Sequence, residues 1–196
     1  RVGLAYAQWN RSKADLLGWP KTYPIDPAKL QAYGYADMTE FRNWRWYKKF
    51  GGGPIVDLGS HQIDLFAWVF GCNPSAVFAS GGVEYYKGRE WFDNVMAVYE
   101  FQTAEGAARA MYQVQTTTKY GGFYEVFMGD DGAIQISEVA QRGNWALREA
   151  HAPEWDSLVK EGLLLSEAPV IQKVDTKNIF VDVRVTAEAG RWPFPV

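Results

Sequence analysis

The sequence predicts an α+β fold: a predominantly antiparallel open sheet with helices on one face. Three observations carry that expectation. The apolar period changes from helical to two-residue after Pro74. The candidate strands that follow are rich in Val, Tyr and Phe and are joined by short turn clusters, which makes sequential neighbours antiparallel. The helical segments gather towards one end of the strand run instead of alternating with it.

Taken in chain order, residues 2–9 are an apolar run that reads as a strand. Residues 10–40 are rich in Pro, Gly, Asp and Tyr and read as a long irregular loop, with one helical turn near 27–33. A loop of that length in a compact domain is more often functional than filler. An aromatic and basic stretch, 41–50, leads into Gly51-Gly52-Gly53-Pro54. Residues 54–70 are the strongest helical candidate: proline suits a first turn, Gly71 and Pro74 mark the stop, and Gly59 divides the segment into two pieces. Strands are expected over 77–86, 94–101, 107–116, 123–129 and 133–139, a short helix over 153–165, and a late alternating strand over 179–187. No internal repeat or low-complexity tract is present.

The bulk numbers exclude several classes. With 196 residues, 47% hydrophobic and 22% charged, the chain fits an ordinary globular protein of one domain with a substantial core. A net charge of -3 and a pI near 5.5 give no basic footprint for nucleic acid. No apolar run reaches the roughly 18–20 residues needed to span a bilayer, so no membrane is expected. The single cysteine, Cys72, cannot form an internal disulfide, and a reducing, cytoplasmic compartment fits best unless an export signal has been removed. Aromatic content is high, at 16% with nine tryptophans. Such rings stack on sugars and on nicotinamide, and they equally fill cores.

The chemistry-bearing constellation is Asp57, His61 and Asp64 on the candidate helix. At about 100° per residue the three fall on one narrow polar stripe of an otherwise apolar segment. A carboxylate one turn from a histidine can hold one ring nitrogen and leave the other to move a proton. The same spacing also describes a solvated helix face. A metal centre is not expected, because no second His or Cys cluster accompanies the three. His151, in a polar stretch without such a partner, reads as a surface residue.

The surroundings of the stripe are more specific than the stripe. Trp44-Arg45, a short spacer, the run G-G-G-P-I-V-D-L-G-S-H-Q-I-D and a Trp before Gly71 resemble the C-terminal domain of the glucose-fructose oxidoreductase and inositol dehydrogenase family, Gfo/Idh/MocA. The match is close over 41–71 and looser from 74 to 138, where Tyr124-Glu125-Val126-Phe127-Met128-Gly129 is also similar. The resemblance implies NAD or NADP as cofactor, held mainly by an N-terminal Rossmann domain, and a carbohydrate or polyol substrate between the domains. It implies His61 as the proton donor or acceptor on the substrate hydroxyl, with Asp57 orienting it, and Trp44 and Arg45 near the cofactor. Gly51, Gly52 and Gly53 would let backbone approach the nicotinamide and the substrate. Arg42, Asp64 and Tyr120 are candidate substrate contacts.

The sequence has no G-x-G-x-x-G. The whole stretch 1–196 therefore reads as a C-terminal substrate-binding and oligomerisation domain, without the Rossmann half and the closing helix, and inactive by itself. Two alternatives stay open at this point. One is an NAD-dependent glycosidase of the same family. The other is a non-catalytic module forming a homo-oligomer through its sheet face.

Overall fold

The structure is a computed structural model and describes residues 1–138, 144–165 and 191–193. The described chain is α+β, mostly antiparallel, with few and short helices. It divides into two compact units, Tyr6–Phe123 and a second built from Arg1–Ala5 with the described residues from Tyr124 onward.

In the larger unit the strand order is β2-β3-β4-β1, with β1 at Val2–Asn10, β2 at Ala76–Gly82, β3 at Asn94–Thr103 and β4 at Gly106–Gln115. Pairing of β2 with β3 and of β3 with β4 is antiparallel, with Ala79 opposite Ala97 and Ala97 opposite Tyr112. The two-residue period sorts β3 and β4 cleanly. Val95, Ala97, Ala110, Tyr112 and Val114 are buried on one face, while Met96 and Met111 on the other are exposed.

Five helical segments precede or follow these strands. The first, α1, is Pro27–Ala32; Asp26 caps it by accepting from the amides of Ala28 and Lys29, and Pro27 occupies its first turn. Next, α2 is Met38–Arg42, capped by Asp37 through the amide of Glu40. A 3-10 turn follows at Trp44–Trp46. The predicted long helix is two helices, α3 at Gly53–Asp57 and α4 at Gly59–Phe70.

The division at Gly59 has a packing reason. A Cβ built there would stand 2.8 Å from the Tyr112 ring, so the missing side chain is what lets α4 seat on β4. Phe66 and Phe70 then close the core, with Phe70 4.7 Å from Phe101 between ring centres. Gly71 ends α4 at φ 69, the left-handed cap that favours glycine.

The second unit has the order β5-β6-β7-β8, with β5 at Phe123–Gly129, β6 at Gly132–Ile136, β7 at Trp145–Arg148 and β8 at Arg191–Pro193. The pairs β5–β6, β6–β7 and β7–β8 are antiparallel. Helix α5, Asp156–Lys160, brings Leu158 and Val159 with Trp155 against buried Ala146 and Leu164. It is shorter than the predicted 153–165. The expected strand at 179–187 lies outside the described residues. No described helix is long and apolar enough to cross a membrane.

Candidate functional site

Within the larger unit a cavity of about 530 Å³ opens between the loop 11–17 and the α2–α3 region. That volume falls within the usual range for small-molecule sites, roughly 300–1,000 Å³. Its walls are built by long-range side-chain ties. Asn43, 3% exposed, accepts from the amide of Leu17 at 2.7 Å and donates to the Leu17 carbonyl at 3.0 Å and to Thr39 at 2.8 Å. Tyr86 accepts from the amide of Ala14 and donates to the Thr116 carbonyl at 2.9 Å. Arg89 donates to the Ala14 carbonyl at 2.8 Å while its guanidinium lies 3.8 Å from the Trp46 ring centre and 3.5 Å from that of Tyr86.

The turn that carries Tyr86 is organised by Asp93, which is 1% exposed. Burial pushes its carboxyl up, but the amides of Tyr86 and Tyr85 and the side chain of Asn94 donate to it and leave it below the ordinary carboxylate value. Burial likewise lowers the Arg89 guanidinium, the largest influence on it, against the nearby Tyr86.

The predicted site residues separate into two groups. Arg42, Arg45 and Asp57 line the cavity. Arg45 Nε donates to Asp57 Oδ1 at 2.7 Å, and its guanidinium lies 4.7 Å from the Trp44 ring centre. Arg45 is 44% exposed and Asp57 22%, so solvent screening limits the pair to about 1 kcal/mol; its main effect is to fix where the carboxylate stands. Arg42 Nε reaches the Gly18 carbonyl at 3.2 Å.

His61, Asp64, Trp44 and Tyr120 do not line the cavity. The exposed His61 ring rests against Trp9, centroids 5.6 Å apart and tilted 33°, and Trp9 in turn stacks on Phe123 at 4.5 Å. Asp64 is exposed on α4. The Tyr120 side chain is 85% exposed, whereas its carbonyl accepts from Asn10 Nδ2 at 2.7 Å. The expected orientation of His61 by Asp57 is replaced by other contacts: among the described residues, Asp57 receives its hydrogen bond from Arg45. The cause is the break at Leu58, which puts the two residues on different helices and removes the single continuous stripe.

The triple glycine has a packing reason within the chain itself. A Cβ on Gly51 would meet the Trp44 ring at 3.0 Å, one on Gly52 would meet Val56 at 2.3 Å, and one on Gly53 would meet Trp91 at 2.6 Å. Gly53 also sits at φ 69. The run is small because this chain's own side chains occupy the space.

Sequence reasoning missed Arg11, Asn43, Trp46, Tyr86 and Arg89 as parts of the site. Arg89 sits in a turn cluster, Lys87-Gly88-Arg89, that looks like ordinary solvated loop, and its aromatic sandwich joins residues far apart in the chain. Helix α2 did carry a legible signal, the Asp37-x-x-Glu40 capping spacing.

Comparison with known proteins adds the following. A family model described as "GFO/IDH/MocA C-terminal domain" matches residues 28–135. A 52-residue stretch, 26% of this chain, is 38% identical to "Putative oxidoreductase YteT" of Bacillus subtilis (strain 168), and spans 12% of that relative. Among solved structures, a levoglucosan dehydrogenase in complex with NADH and levoglucosan superposes with a TM-score of 0.52 at 17% identity, over 77% of this chain and 37% of that one. An oxidoreductase domain protein from Kribbella flavida gives 0.51 at 15% identity, over 75% and 36%. At those identities the two structures show a shared fold, and this chain spans little more than a third of each.

Proposed function

The chain belongs to the Gfo/Idh/MocA oxidoreductase family, and from that premise we propose that it is the substrate-binding and catalytic half of an NAD(P)-dependent oxidoreductase acting on a sugar or polyol. The observation that carries the reading is the cavity beside α3, with Asp57 fixed in its wall by Arg45 and with His61 exposed at the start of the next helix. A nicotinamide complex of a sugar dehydrogenase among the structures sharing the fold supports the same class.

The residues present fit a nicotinamide dinucleotide at one edge only. Trp44 and Arg45 offer a flat aromatic face with a cation beside it, suited to a carboxamide ring and a phosphate. The dinucleotide, when bound, supplies the hydride acceptor or donor. The part of this chain is to bind the sugar in the cavity, to hold Asp57 in place against Arg45 for a substrate hydroxyl, and to move the hydroxyl proton at His61. The His61 imidazole rests against the Trp9 indole, ring centroids 5.6 Å apart. Arg42, Asp64 and Tyr120 are secondary in this reading, with Arg42 the one already at the cavity. A homo-oligomer would cover the sheet face that exposes Phe78, Met96 and Met111, which are 78%, 56% and 37% accessible.

The test is sugar-dependent reduction of NAD or NADP by the intact protein, followed at the nicotinamide absorbance. His61→Ala should lower kcat by about 10²–10⁴-fold, the usual worth of a positioned acid or base. Undiminished turnover in that variant removes His61 from the reaction.

A further inference from the structure

We propose that the cavity takes a sugar bearing an oxyanion, a carboxylate or a phosphate, in place of a neutral sugar. This rests on the reading of the cavity as the substrate site and narrows its ligand class. Five cationic side chains line it, Arg11, Lys13, Arg42, Arg45 and Arg89, against two acidic ones, Asp15 and Asp57. That surplus of three positive charges stands in a chain whose net charge is -3.

The surplus is unpaired as well as local. Elsewhere Arg109 pairs with Glu100 at 3.3 Å and Arg148 with Glu154 at 3.1 Å. At the cavity Arg45 is matched by Asp57. Arg11, Arg42 and Arg89 have no ion pair among the described residues, and all three line this one cavity.

Arg42 gives one N–H to the Gly18 carbonyl and Arg89 one to the Ala14 carbonyl, which ties both guanidinium groups to the 14–18 loop. Arg89 is also partly desolvated between Trp46 and Tyr86. Guanidinium forks without an ion-pair partner are complementary to a bidentate oxyanion. A sugar acid or a sugar phosphate supplies that group on a polar ring. The levoglucosan of the related dehydrogenase complex is a neutral sugar, so the ligand class proposed here departs from it.

The experiment is calorimetric titration of the intact protein with D-glucuronate, D-glucose 6-phosphate and D-glucose, then with NADH. At least one of the two anionic sugars should bind ten-fold or more tightly than glucose, and the better of the two identifies the oxyanion. Raising NaCl from about 50 to 500 mM should weaken that ligand selectively, since screening acts on partly exposed charges. In the Arg11→Gln/Arg42→Gln variant the ratio of anionic to neutral affinity should collapse towards one; the salt series on the unaltered protein gives the same answer if the variant folds poorly. Equal or tighter binding of glucose overturns the proposal. So does a variant that weakens NADH alone, which would assign the charges to the dinucleotide. Anion binding that depends on these arginines, without any nicotinamide-dependent turnover, defeats the oxidoreductase reading and leaves the ligand class standing. Turnover of glucose without arginine dependence does the reverse.

Discussion

Gly53→Ala is the substitution whose cost the structure specifies most closely, because two separate penalties meet at one residue. Gly53 sits at φ 69, and an L-residue in that left-handed region costs roughly 1–2 kcal/mol. The new methyl would stand 2.6 Å from the Trp91 side chain, a contact no real Cβ makes, and Gly53 is buried. Overpacking of that kind costs typically 1–3 kcal/mol. The expected loss is therefore about 2–5 kcal/mol. Gly71→Ala is the matched control: it has the same φ of 69, but its Cβ would meet nothing within 4 Å. It should lose only the backbone part, about 1–2 kcal/mol. Urea unfolding followed by the fluorescence of the nine tryptophans reads both. Equal losses in the two variants would refute the claim that Trp91, and not a bound ligand, makes glycine necessary at 53.

Other consequences follow from the walls of the cavity. Asp93→Ala leaves the part-buried amides of Tyr85 and Tyr86 without their acceptor and should cost about 1–3 kcal/mol at neutral pH. Because the Asp93 carboxyl is held below its ordinary value, its contribution is present above the unfolded carboxylate pKa of about 3.9 and is lost as pH falls through the lower folded value. The acid limb of a stability-versus-pH curve should accordingly flatten in Asp93→Ala, and an unchanged limb would contradict the assignment. Asn43→Ala removes both ties to Leu17 and should cost about 1–3 kcal/mol while making the 11–18 loop the first site of limited proteolysis. Arg45→Met frees Asp57 from its hydrogen bond with Arg45; it should raise KM for the sugar, while global stability should fall by no more than about 1 kcal/mol.

What was legible in the sequence follows from how local the causes are. The strands β3 and β4 are visible because burial on one face writes a two-residue period into the chain, and β5 appears with the bounds 123–129 expected of it. The division of the long helix at Gly59 was also readable, though its cause, the Tyr112 ring more than fifty residues away, was not. Strand β7 went unpredicted because four residues, Trp145–Arg148, carry too little pattern to declare a period. The candidate site shows the same limit. The D-x-G-x-H segment is contiguous, so Asp57 and His61 could be singled out. The geometry that gives Asp57 to Arg45, and the convergence of Arg11, Arg42 and Arg89 on one cavity, come from separate segments that only the fold brings together.

The most direct measurement is a crystal structure of the intact protein with nicotinamide dinucleotide and sugar bound. The sugar should lie beside Asp57, with the reacting hydroxyl about 2.6–3.2 Å from a ring nitrogen of His61, directly or through one water. A sugar bound away from α3, or an imidazole with no path to that hydroxyl, would contradict this placement.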